Sequence, residues 1–239
     1  MRITGTVQMA AGLALALAAH SAQVQFEVAS VKPGDANARG NSANFPAGRM
    51  VLRNYPLKGL IEMAYEINDS ELIGEPKGFD KEGYDIDATV PRGASDDQRM
   101  EMLQALLVDR FKLAFHRETR SLQAYVLTVA KGGAKLSPAT GQGTSYGPRM
   151  IKGKSIDLPE LAEMLTKVLG RPVFDETGIK GSYDVSLDFA PVQASPDGDA
   201  ESGPSIFAAI QEQLGLKLEA TKRPVEVMVI DHVEKPSGN

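Results

Sequence analysis

The sharpest local pattern that could support chemistry is a Gly-x-Ser-x-Gly run, Gly143-Thr144-Ser145-Tyr146-Gly147. Such a serine becomes a nucleophile when a strained strand-to-helix turn presents its Oγ beside an oxyanion hole. A triad in chain order would then run from Ser145 through Asp184, Asp188 or Asp231 to His232. The flanks do not supply the turn. Lys135-Leu136-Ser137-Pro138-Ala139-Thr140 does not read as a buried strand, and Pro148 leads into a β-like stretch rather than a helix. A flexible Gly/Ser/Thr loop with no catalytic residue is the plainer expectation. The hydrolase built on Ser145, Asp184 and His232 stands as its alternative.

Other chemistry has still less to work with. The sequence holds three histidines, His20, His116 and His232, and no cysteine. Metal sites draw on clustered Cys, His and carboxylate ligands at short spacings, and no His-Glu-x-x-His or EF-hand loop occurs. His116 and His232 read as strand-end histidines bonded to neighbouring carboxylates. Asp85, Asp87, Asp184 and Asp188 alternate along two strands and read as the wet face rather than as an acid/base pair. Gly141, Gly143 and Gly147 have the wrong spacing for a phosphate loop, so neither a metal nor a nucleotide cofactor is expected.

Charge narrows the partners. The first residues carry Arg2, then the apolar run Val7 to Ala19, then small residues at Ala19, Ser21 and Ala22. This is the pattern of a secretory leader. Cleavage after Ser21 is expected, with residues 1–21 as the signal peptide and a periplasmic or extracellular destination. The apolar run is too short to span a bilayer, and no later segment approaches that length. Removing Arg2 leaves 25 basic against 31 acidic residues, a net charge of −6. Without a basic cluster, nucleic acid is a poor partner. A chain with no cysteine in an oxidising compartment must be held by its apolar core.

The elements that would position any site read as one unit written twice. Arg49-Met50-Val51 recurs as Arg149-Met150-Ile151, and each leads into an amphipathic helix. Leu158, Leu161, Leu165 and Val168 share one helical face, and Asp157 with Glu160 three residues on reads as a capping box. Gly83-Tyr84-Asp85-Ile86 matches Ser182-Tyr183-Asp184-Val185 at the head of a long alternating strand. A second helix follows in each copy. A hairpin is expected to close each unit, pairing residues 112–117 with 122–130 in the first and 217–221 with 225–233 in the second. The fold class is α+β, with two tandem β-α-β-β-α-β-β units, antiparallel sheets and helices packed on one face. The first unit covers 22–134 with a leading strand, and the second covers 148–239. Residues 135–147 read as a flexible linker, and 191–204 as a loop insertion.

Several longer segments carry a family resemblance. They are Phe26-Glu27-Val28-Ala29-Ser30-Val31-Lys32-Pro33, Leu106-Leu107-Val108-Asp109-Arg110-Phe111, Leu169-Gly170-Arg171-Pro172-Val173 and Ile230-Asp231-His232-Val233-Glu234-Lys235-Pro236. The mature chain resembles the "soil-associated" family of exported bacterial proteins of unknown function. That resemblance brings no assigned reaction and no catalytic residues. It implies an extracytoplasmic domain, of a kind related to those attached to β-lactam-responsive membrane metallopeptidases. With no converging nucleophile, base and metal set in the sequence, it points to a non-catalytic binding module. A peptide, a cell-wall fragment or an envelope protein is the expected partner, and an oligomeric envelope scaffold is a further alternative.

Overall fold

The computed structural model describes residues 24–35, 37, 38, 40–76, 78, 81–191 and 203–236. The expected leader, and most of the loop at 191–204, lie outside the described residues. The fold is α+β, and the described residues form four α-helices and twelve strands in three four-stranded sheets. The first sheet orders β1 (Val28–Pro33), β5 (Gly83–Thr89), β3 (Arg49–Pro56) and β2 (Ser42–Asn44). Another orders β7 (Ser137–Pro138), β11 (Tyr183–Asp188), β9 (Met150–Ile156) and β8 (Gly143–Gly147). The two have the same connectivity, strand for strand. The stretch expected to be a linker therefore contributes two edge strands, because Ser145 and Tyr146 pair across to Lys152 and Ile151.

The third sheet corrects the expected hairpins. Ala114–Val129 is one strand, β6, and Leu216–His232 is another, β12. They pair antiparallel with each other, from Val129 opposite Leu216 to Ala114 opposite His232. Neither bends, because the middle of β6, Glu118-Thr119-Arg120-Ser121, has none of the Gly or Asn residues that tight hairpin turns need. Pro224 does not break β12 either. Tyr125 of β6 donates its N–H to Pro172, away from β12, so the backbone N–H and C=O groups of the odd-numbered residues of β6 point away from β12. Pro224 faces Ser121, so its missing N–H also falls on the outer side, where a strand tolerates proline. Two short strands complete the sheet in parallel pairings, β10 (Val173–Asp175) on β6 and β4 (Leu72–Ile73) on β12.

Two apolar cores sit along this ribbon. The first gathers Leu60 and Ile61 of α1 (Leu57–Tyr65), Leu103, Leu107 and Phe111 of α2 (Asp96–Phe111), and Leu52 and Ile86 of the first sheet. It also takes Met228 and Ile230 from the far end of β12. The second gathers Leu161 and Leu165 of α3 (Leu158–Leu169), Ile210 of α4 (Ile206–Leu214), Ile151 and Leu187, and it takes Leu127 from the far end of β6. Each long strand thus begins in one core and ends in the other.

Left-handed backbone positions recur in matching places. Asn54 and Ser155 precede α1 and α3, Glu66 and Gly170 cap their ends, and Lys112 and Gly215 cap α2 and α4. A side chain pays roughly 1 kcal/mol to hold that conformation and glycine does not. Lys112→Gly is therefore expected to raise stability by about 1 kcal/mol, seen as a higher urea midpoint at unchanged m-value. The reverse change, Gly215→Ala, would place a Cβ 2.1 Å from the Gly133 carbonyl oxygen and is expected to be strongly destabilising.

Candidate functional site

Helices α1 and α3 contribute facing walls to a cleft of about 850 Å³. Both begin with the same pattern, Leu57-x-x-Leu60-x-Glu62-Met63 and Leu158-x-x-Leu161-x-Glu163-Met164. In each the leucines are buried, and the glutamate that follows the second leucine by two positions lines the cleft. Tyr55 and Tyr146 flank it, with Met63 and Ile67 as apolar lining. Gly59 lies on the floor beside Tyr55, whose Cε1 stands 2.9 Å from where a Cβ at Gly59 would sit. A side chain there would push the tyrosine aside, so glycine keeps this wall open.

The cleft is acidic. Among the described residues five carboxylates line it, Glu62, Glu66, Asp69, Glu71 and Glu163, against one lysine, Lys167. Two of the five are committed elsewhere. Glu71 accepts the Asn68 N–H at 2.8 Å, and Asp69 pairs with Lys58, which also holds Glu75 at 2.8 Å. Burial works against the Lys58 charge, but its hydrogen bonds to Asp69 and Glu75 outweigh that and raise its pKa. Glu62 is the exceptional group. Its Oε1 is shielded from solvent and has no hydrogen-bond partner among the described residues. Burial, opposed by Lys58 and reinforced by Asp69 and Glu75, pushes its pKa up to about 7. Burial and the neighbouring Glu62 and Tyr146 also raise the Tyr55 phenol. Lys167 holds its Nζ 5.6 Å above the Tyr146 ring, so one ammonium already uses an aromatic face on this cleft as a cation–π platform. A buried acceptor without a donor is costly, and a cation supplied from outside would relieve it.

The triad read from sequence is spread over different partners. Ser145 lies exposed on β8 opposite Lys152. Asp184 of β11 accepts the Thr140 N–H at 3.1 Å and the Thr140 hydroxyl, with Lys154 Nζ at 3.3 Å. His232 pairs with Ala114 at the other end of β12 from the second core, and its Nε2 lies 2.9 Å from Glu234. Sixteen steps of strand, roughly 50 Å, separate Leu216 from His232. His116 Nδ1 meets Asp231 at 2.8 Å, and Asp87 binds Arg49 and Arg53. Among the described residues no hydrogen bond joins Ser145, Asp184 and His232, and no acidic and histidine side chains gather to hold a metal ion.

Asp184 instead ties the β7–β8 loop to its sheet. Its hydrogen bonds from the Thr140 side chain and backbone, with Lys154 beside it, lower its pKa to about 2. A carboxyl depressed in the folded state adds stability above its unfolded pKa of about 4, and loses it as the pH falls toward its folded value. The gap in unfolding midpoint between wild type and Asp184→Asn is therefore expected to be fully open at pH 6 and to close between about pH 4 and pH 2.

Residues 58–233, from the first turn of α1 to just beyond β12, match the family model described as protein of unknown function DUF3738. The chain belongs to the DUF3738 family. No curated protein and no solved structure matches it. The DUF3738 match spans both cleft helices, both long strands and both Glu-Met pairs. Sequence reading located these helices but passed over Glu62 and Glu163. Aligning the two helices on their leucines was the signal that would have found them. Among the described residues no helix is long and apolar enough to cross a membrane.

Proposed function

We propose that this DUF3738 protein is an exported, non-catalytic binding module, and that its ligand presents a cationic group on an apolar stem to the α1–α3 cleft. The observation that carries this reading is the uncommitted Glu62 Oε1, buried at the wall of an 850 Å³ cleft whose partner wall repeats the same glutamate as Glu163. An ammonium would complete Glu62, rest against Tyr55 or Tyr146 and leave its stem on Met63 and Ile67. Peptides and cell-wall fragments with free amines have this chemistry. Export is supported by the leader pattern of residues 1–21. The matched sheets and matched left-handed positions support descent of the two halves from one unit.

The test is calorimetric titration of the mature protein with short lysine-containing peptides and their N-acetyl-lysine counterparts. Saturable binding of the free-amine peptides, lost on acetylation and weakened by Glu163→Gln, is the expected result. Equal binding of both peptide sets, or none, would remove the cleft's assigned role.

A further inference from the structure

The middle of β6 leaves a row of backbone groups facing outward. Because the ladder with β12 is unbroken from Phe115 to Val129, the outward set continues from Tyr125 through Gln123, Ser121, Thr119 and Arg117 to Phe115. β10 occupies this edge from Tyr125 onward, and α2 ends at Phe111. Among the described residues no hydrogen bond reaches the backbone N–H or C=O of Arg117, Thr119, Ser121 or Gln123, and all four residues are exposed. The matching edge of β12 is interrupted at its middle by Pro224, which has no N–H to offer. β6 has no such block, and an open edge of this length is a template for another strand.

We infer that this edge pairs with the same edge of a second copy of the chain, antiparallel about Thr119. Register and charge together select this pairing. In an antiparallel pair the outward residues must meet outward residues, which limits the register to whole-residue choices of the symmetry centre. With the centre at Thr119, Glu118 stands opposite Arg120 of the second copy, and Arg120 opposite its Glu118. Moving the centre by one residue puts Glu118 against Glu118, or Arg120 against Arg120, and like charges directly opposite are unfavourable. The Thr119 centre is also the midpoint of the open window between Ala114 and Ala124, so pairing ends where β10 begins. Each copy contributes the same patch, as a two-fold interface requires. The two central sheets join into one of eight strands.

Sedimentation of the mature protein over a concentration series tests this. A nine-residue strand pair is small for an interface, so a reversible monomer–dimer equilibrium in the micromolar range is expected. Thr119→Pro removes one outward N–H without touching the ladder to β12, as Pro224 does on the other strand, and is expected to abolish the dimer. Glu118→Arg and Arg120→Glu should each weaken it at least tenfold. The double variant should restore it, and urea midpoints would establish that each variant is folded. A mass that stays monomeric at about 200 µM overturns the inference. So does a Thr119→Pro protein that dimerises like wild type, or a double variant no better than the single ones.

Discussion

Leu127→Ala is expected to cost about 3 to 4 kcal/mol, although Leu127 belongs in sequence to the first unit, 22–134, and in space to the second core. The side chain is fully buried among residues of α3, α4 and the β7–β8–β9–β11 sheet, so truncation leaves a cavity between elements that pack tightly around it. The converse holds for Ile230 near the C-terminus, which packs with Leu60 and Phe111 in the first core. Exchange of strand ends makes the two cores mutually dependent. Loss of packing at Leu127 is therefore expected to lower the urea midpoint for both halves together, with one transition by every probe and no change in m-value. A fragment ending at residue 134 lacks β12 and with it Met228 and Ile230, and is expected not to fold alone. Two separate transitions in Leu127→Ala, with the first core unaffected, would mean that the long strands do not couple the halves.

Glu62→Gln is expected to have opposite effects on stability and on binding, and both should depend on pH. The folded pKa of Glu62, about 7, lies above the value of about 4.3 for an unfolded glutamate. Between those values the folded state holds more protons than the unfolded one, so stability present below about pH 4 is lost as the pH rises through 7. The glutamine variant has no such loss. Because Glu62 is only half-buried, solvent screens part of the penalty, and the variant should exceed wild type by about 1 kcal/mol at pH 8 and match it at pH 4. Cation binding runs the other way. It requires the ionised carboxylate, so wild-type affinity should rise as the pH passes 7. A charge-assisted hydrogen bond is worth about 1.5 to 3 kcal/mol, so Glu62→Gln should bind at least tenfold more weakly at pH 8, with a flat pH profile. Calorimetry of one lysine peptide at pH 5.5 and pH 8 reads the binding effect, and urea midpoints at pH 4 and pH 8 read the stability effect.

Local structure was legible wherever side-chain periodicity carried it. Leu158, Leu161 and Leu165 are buried on one face of α3, and the Asp157 side chain accepts the Glu160 N–H at 2.8 Å. Tyr84 and Val185 likewise sit on strands that alternate buried and less buried residues. Long-range pairing was not legible. The charged centre of β6 reads as a turn between two apolar runs, and only the partner strand reveals that Arg117 reaches diagonally to Glu226 across the ladder that pairs it with Met228. The expected turn at 222–224 fails for the same reason, since Pro224 marks a position whose backbone nitrogen faces outward rather than a bend. At the site, Ser145 stands out in the sequence because Gly-x-Ser-x-Gly is a written motif. Glu62 belongs to no written motif, and its character comes from burial and from the absence, among the described residues, of a donor for its Oε1, neither of which a sequence displays.

The assignment of the cleft is tested most directly by following backbone amide resonances of the mature protein during titration with cadaverine at pH 8. Saturable shifts concentrated on Gly59, Glu62, Met63, Glu163, Lys167 and Gly170 are expected, diminished at pH 5.5 and needing at least tenfold more cadaverine in Glu62→Gln. Shifts scattered over the acidic surface without saturation, or centred on residues outside α1 and α3, would contradict it.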